Sequence, residues 1–269
     1  MLIIRNALSY LYQHGISSTI YRAYDALVYQ IVLLLWFTKT RDMLAYHLCG
    51  DGVEIGALHG GMRLDPKIAR VKYIDILPLE GLLARYPELH GMDIQIPDYV
   101  WTFEDLSIIP SSSQDFFIAN HVLEHIRDPL QGLIEAYRVL RDDGILFLTL
   151  PDKRRTFDHH RFITPIDHFE ADHFHPSESM DFIHFMESAS TTYSDSYIDQ
   201  LTLAKEQFIE KYPIHYHTFV MENALGLLNL WHQHWLFAFD VIDKRETSKW
   251  TYDIEFTLVL KKNPIPDHA

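Results

Sequence analysis

Apolar and polar positions change their period along this chain. Between residues 50 and 150 short, continuously apolar runs rich in Val, Ile, Phe and Tyr recur: GVEIGA (52–57), VKYIDIL (71–77), DYVWTF (98–103), DFFIAN (115–120) and GILFLTL (144–150). Each has the length of a strand and the composition of one buried on both faces of a sheet. Between the last two, Leu130, Leu133, Ile134, Tyr137 and Leu140 return at three- and four-residue spacing, predicting a helix that stops at Gly144. Strand alternating with helix predicts an α/β fold, a doubly wound sheet of five parallel strands.

The pattern then changes twice. Residues 152–214 are rich in His, Asp, Ser and Phe without a strong strand signal, which predicts a cap inserted after strand five. WLFAFDVID (235–243) and TYDIEFTLVLKK (251–262) read as two further strands. The short loop between them rules out a parallel crossover, so they are expected to close the sheet as an antiparallel hairpin. Residues 1–48 read as a helical N-terminal extension, and 49–269 as the main domain. The extension holds the most apolar run of the chain, ALVYQIVLLLWF (26–37), too short to span a bilayer, where about 20 residues are needed. A helix packed on the domain, on a second copy in a homodimer, or on a membrane surface are the readings open to it.

Composition narrows the function. A formal charge of −14 repels phosphate backbones, so nucleic acid is not an expected partner. The single cysteine, Cys49, excludes an internal disulfide and a cysteine-rich zinc site and suits a cytoplasmic protein, with peripheral membrane contact left open by the extension.

The chemistry starts at VEIGALHGG (53–61), where Glu54 precedes a glycine turn. A dinucleotide fingerprint places its middle glycine where Leu58 stands, which crowds a pyrophosphate. Glu54 adds negative charge at the same mouth. A ligand with an ammonium and no phosphate suits both features. VEIGALHGG, YIDIL with Asp75, and the stretch from DFFIANHVLEH to GILFLTLPD together resemble the class I S-adenosylmethionine-dependent methyltransferases. The resemblance covers about residues 48–152 and 235–262, and it implies a Rossmann-like sheet and S-adenosylmethionine as cofactor. It further implies that Glu54, Gly56, Ala57 and Gly60 hold the methionine end and that Asp75 and Ile76 hold the ribose. Thr102 and Phe103 fall at the adenine position, Thr102 standing where the family usually has Asp. Asn120 and His121 are implied at the reacting centre.

For a hydroxyl acceptor a general base is needed, and a neutral imidazole serves near pH 7. His121, His217 and His160 are the candidates, while His125 is expected to pack on its own helix. No metal site is assigned, because the pairs His159/His160 and His215/His217 become ligands only if the cap brings three or four groups together. The segments ANHVLEH and LPDKRRTFD are similar to methyltransferases associated with bacterial cell-surface polysaccharide synthesis, which implies O-methylation of a sugar, nucleotide-linked or lipid-linked. Lys153, Arg154 and Arg155 could meet its phosphates. The alternative is a methyltransferase-fold binding module, catalytically weak, acting in a complex. The expected result of a calorimetric titration is binding of S-adenosylhomocysteine but not NAD, with a loss of more than about tenfold in Asp75→Ala as two charge-assisted bonds disappear.

Overall fold

The computed structural model describes residues 40–191, 196–235, 239–247 and 253–264. The apolar run at 26–37, with its expected packing on the domain, a second copy or a membrane surface, lies outside the described residues. The chain forms two compact units, Met1–Met43 and Leu44–Ala269. Leu44 and Leu48, assigned to the extension by sequence, belong to the second unit, where they pack with Met62, Phe116 and Ile118. Among the described residues no helix is long and apolar enough to cross a membrane.

Seven strands of the second unit form one sheet: β1 (Gly50–Ile55), β2 (Ala69–Asp75), β3 (Tyr99–Val100), β4 (Gln114–Asn120), β5 (Leu140–Pro151), β6 (Phe239–Arg245) and β7 (Glu255–Lys262). Their order is β3-β2-β1-β4-β5-β7-β6. The first five in this order run parallel, and β7 is antiparallel to both β5 and β6. The sheet is therefore the doubly wound, Rossmann-like arrangement expected from the sequence, closed by an antiparallel hairpin. Parallel strands reverse direction of progression between β1 and β4, and a ligand crevice opens at such a switch point beyond the strand C-termini.

Burial on both faces explains the continuous apolar runs. Along β4, Phe117 and Ala119 enter the larger core, while Phe116 and Ile118 enter a second core on the opposite face. Gly52 of β1 leaves room for Phe116; a Cβ there would stand 2.3 Å from the ring. On the larger-core face lie α2 (Pro129–Val139), α3 (Ile166–Phe174) and α6 (Met221–Trp235), after the short α1 (Leu79–Arg85) that follows β2. Asp128 caps α2 by accepting the Gln131 N–H at 3.0 Å, and Pro129 takes the first helical turn, where no N–H is needed.

Two boundaries differ from the pattern. Helix α2 ends at Val139, not near Gly144, because Leu140 is extended and pairs with Gln114 in β4. The Asp-Asp-Gly stretch then forms an irregularity inside β5, with Asp143 at φ 61°. Strand three shrinks to Tyr99–Val100, and Thr102 returns only as an isolated bridge to Asp105. The cap after β5 holds α3, α4 (Glu178–Ala189) and α5 (Tyr197–Glu210), with a small core of its own around Phe185, Ala189, Ala204 and Ile214.

Trp231 of α6 joins the helix layer to the hairpin. It is fully buried, stacked on Phe239 of β6 at 5.1 Å and tilted against Tyr137 of α2 at 5.3 Å. Trp231→Ala is expected to cost about 3–5 kcal/mol, read as a lowered urea midpoint with an unchanged slope.

Candidate active site

A cavity opens beyond the C-terminal ends of β1, β2 and β4. Gly56, Leu58, Asp75, Ile76, Leu82, Thr102, Phe103, Glu104, His121 and His125 are among the residues that line it, and Pro213 closes it from the cap. The cavity therefore gathers Gly56, Asp75, Ile76, Thr102, Phe103 and His121 from four separate segments. The turn after β1 makes the approach possible. Gly56 sits at φ 67°, and a Cβ would lie 2.7 Å from Val122. Leu58 also takes a left-handed conformation, φ 45°, and its carbonyl accepts the Gln95 N–H at 2.8 Å.

Glu54 does a different job from the one the sequence implied. Its carboxylate is fully buried and does not line the cavity. It accepts the Met62 N–H at 3.2 and 3.0 Å through its two oxygens and the Asn120 side-chain amide at 3.2 Å. Asn120 also stands behind the lining, as do Ala57 and Gly60; the Gly60 N–H donates to the Ala57 carbonyl at 2.7 Å. These four residues shape the turn from behind.

Asp75 ends β2 at the cavity wall. One carboxylate oxygen accepts the Ile76 N–H at 2.7 Å. Burial raises its pKa above the ordinary carboxylate value, opposed by the N–H groups of Ile76 and Leu77. Glu104, offset by two from Thr102, shares the lining and accepts the Asp128 N–H at 3.0 Å; burial raises its pKa as well. An acidic side chain therefore does reach the third-strand side of the cavity, two positions beyond the one the family pattern marks.

Two histidines four residues apart have opposite electrostatics. His121 is held at φ 55°, with its N–H on the Thr149 carbonyl at 3.0 Å. Its ring lies between Glu255, 2.6 Å from Nε2, and Glu124, 3.4 Å from Nδ1. Burial pulls the imidazole down, but the two carboxylates outweigh it and raise the pKa to about 9. At neutral pH His121 already carries its proton and is not a base. His125 is the reverse. Burial lowers its pKa, opposed by Glu124. Its Nδ1 stands 2.9 Å from the Ile214 carbonyl, which only accepts, so Nδ1 carries the hydrogen and Nε2 the lone pair.

Residues 49–148 match the family described as "Methyltransferase domain". The match takes in 100 of the 269 residues, and S-adenosylmethionine is the cofactor used by the family it resembles. The chain is 30% identical over 105 residues, 39% of its length, to an uncharacterized 37.1 kDa protein in transposon TN4556 of Streptomyces fradiae, and the match spans 28% of that relative. Among solved structures it resembles a Thermotoga maritima SAM-dependent methyltransferase, a possible histamine N-methyltransferase, at 16% identity (TM-score 0.45, covering 88% of this chain and 96% of that one). It also resembles phosphoethanolamine N-methyltransferase 1 of Haemonchus contortus at 18% identity (TM-score 0.48, 85% and 42%).

The cavity has features that suit S-adenosylmethionine: a bare glycine backbone at Gly56, a carboxylate at the end of β2 and an apolar wall from Leu82 and Phe103. It does not include the other predicted bases. His217 is fully buried, 2.8 Å from Asp172, and burial pushes its pKa down to about 4 with Asp172 only partly opposing. His160 is exposed and packs its ring on His159 at 3.7 Å. Neither reaches the cavity, because cap residues adjacent in sequence turn their rings into the cap's own interior or out to solvent. The basic run is equally occupied. Lys153 donates to the His159 carbonyl at 3.1 Å and Arg154 pairs with Asp152 at 2.6 Å.

The sequence signal missed in this region was FDHHRF: its working members are Asp158 and Arg161, both buried, paired at 3.0 Å, with His215 on Asp158 at 2.6 Å. His125 was missed because a lone His on an apolar helix reads as packing. For His121, the folded pKa near 9 lies above the ordinary 6.5 of an unfolded chain, so its contribution to stability is full below pH 6.5 and is lost as pH rises through 9. With part of the ring reached by solvent, the expected loss is about 2 kcal/mol between pH 6 and 9.5 by urea unfolding, and His121→Gln is expected to abolish that part of the dependence.

Proposed function

We propose that this protein transfers a methyl group from S-adenosylmethionine to a hydroxyl of a small acceptor, a nucleotide-linked or lipid-linked sugar being the first choice. The observation that carries the hydroxyl is His125, a neutral imidazole in the cavity wall whose tautomer leaves Nε2 free of its own hydrogen. An amine acceptor attacks without a base once neutral; a hydroxyl gains most from one. The absence of an Asn-Pro-Pro-aromatic motif after β4, where Asn120 is followed by His121, Val122 and Leu123, argues against methylation of an amide or nucleobase amino group. The sugar rests on the likeness of ANHVLEH and LPDKRRTFD to polysaccharide-associated methyltransferases.

When bound, the cofactor supplies an electrophilic methyl group on a sulfonium. The chain's own part is positional. Asp75 would accept the ribose hydroxyls, Phe103 and Leu82 would flank the adenine, and the Gly56 backbone would admit the methionine end. Glu104 stands on the adenine side, where Thr102 offers no carboxylate. His125 Nε2 would take the proton of the acceptor hydroxyl as the oxygen–carbon bond forms, while the methyl–sulfur bond breaks and S-adenosylhomocysteine leaves, and Pro213 with the cap wall would limit water. His121, an imidazolium between Glu124 and Glu255, orients this wall and keeps Glu124 charged.

His125→Gln is expected to slow methyl transfer by about a hundredfold or more, while affinity for S-adenosylhomocysteine stays within about threefold. The acidic limb of the pH–rate profile, set by an imidazole whose pKa burial holds below its ordinary value, is expected to vanish in the variant. Acceptors are screened by mass spectrometry for a gain of one methyl group, with nucleotide sugars first. Methylation of an amine in preference to every hydroxyl would overturn the reading. Tight S-adenosylhomocysteine binding without turnover on any acceptor would favour the binding module.

A further inference from the structure

Four ligand-type side chains meet inside the cap, away from the cavity. His168 and Asp172 lie one turn apart on the same face of α3, His184 comes from α4, and His217 from the extended segment before α6. One ligand atom from each lies within 4.8 Å of all the others. Asp172, His184 and His217 are fully or almost fully buried, and His168 is largely so.

The distances have a particular pattern. The Nε2 atoms of His217, His168 and His184 stand 2.8, 3.3 and 3.4 Å from one oxygen, Asp172 Oδ2. Three imidazole nitrogens converge on one carboxylate oxygen, which has only two lone pairs to offer. Four atoms each 2.0–2.1 Å from a zinc ion at the centre of a tetrahedron stand about 3.3 Å from one another. Two of the three separations from Asp172 Oδ2 match that edge, a small outward movement of His217 supplies the third, and the other three edges lie within 4.8 Å.

The tautomer of His184 is an independent observation. Its Nδ1 lies 3.1 Å from the Tyr216 carbonyl. A carbonyl only accepts, so Nδ1–H is the donor and the Nε2 lone pair is turned toward the Asp172 carboxylate. Two acceptors face each other across a dry gap, an arrangement that a cation between them resolves. A backbone carbonyl on the far nitrogen is also the usual way in which a ligating imidazole is oriented.

We propose that His168, Asp172, His184 and His217 bind one zinc ion as a closed, four-coordinate structural site. Three imidazoles and one carboxylate in a buried set are zinc chemistry rather than calcium or magnesium chemistry, which calls for oxygen ligands. The site gives the cap a second fixed point beside its small apolar core. The segment it holds also builds the cavity wall: the Tyr216 and His217 N–H groups donate to the Glu124 carbonyl at 2.7 and 3.4 Å, and Ile214 holds His125. Metal binding and the orientation of His125 are therefore coupled through four residues of chain.

The test is metal analysis of full-length protein purified without a histidine tag, before and after chelation and dialysis against zinc chloride. One zinc per chain is expected, with a melting temperature that falls by about 5 °C or more on chelation and returns with zinc. His184→Ala and Asp172→Asn are each expected to lose the stoichiometric metal, and His90→Ala, at an exposed position, to keep it. Cobalt substitution supplies a second readout in the folded wild type, where a tetrahedral visible spectrum is expected. Wild-type protein that stays zinc-free after dialysis and melts at the same temperature with and without zinc overturns the proposal, leaving the four side chains as a hydrogen-bonded cluster. Unchanged metal content in His184→Ala overturns it too.

Discussion

A carboxylate buried with no solvent contact has to be met by donors, and Glu54 sets the geometry of the site through that requirement. The ionised group would be costly in a strand whose neighbours are Val53 and Ile55, so the Met62 N–H and the Asn120 amide come to it. Meeting Glu54 bends the chain after β1 into the tight turn at Gly56 and Leu58, and fixes the end of β4 against the end of β1. The open backbone at the cavity, the placement of His121 one residue past Asn120, and the crevice between β1 and β4 all rest on this one hydrogen-bonded carboxyl group. Asp75, across the mouth, lines the cavity.

On the far wall the same device separates two histidines into different protonation states. Glu124 and Glu255 surround His121 and make an imidazolium of it; His125, one helical turn on, is buried against the Ile214 carbonyl and stays neutral. Environments that push titratable groups apart assign acid and base roles without any change of residue type. Glu255 stands at the first position of β7, so the antiparallel hairpin sets the charge on this wall of the cavity and is not only a sheet edge.

The cap contributes by holding a short segment. Residues 213–217 are gripped by Asp158 and Arg161 on one side and by the Asp172 cluster on the other, and they present Pro213 to the cavity and the Ile214 carbonyl to His125. Asp158, Arg161, Asp172 and His184 spend hydrogen bonds on this grip. The Lys153–Arg155 run is tied elsewhere, Lys153 to the His159 carbonyl and Arg154 to Asp152.

By itself the sequence determined the architecture. Continuous apolar runs, a three-to-four period between them and a short terminal loop leave little choice but a parallel sheet closed by a hairpin. Gly56 and Asp75 were legible too, because local backbone needs and strand ends place them. Helix α2 was read too long because Leu140 fits the helical period and the bulge that makes it a strand residue is decided by pairing with Gln114. Tertiary structure alone decided which histidine is neutral, which carboxylate faces the ligand and which cap residues converge. His121 and His125 are the same side chain four positions apart, and His217 resembles His215 in its local pattern. Their protonation and partners come from Glu255, Ile214 and Asp172, groups 134, 89 and 45 residues away in the chain, whose fields act only once folding has removed the water between them.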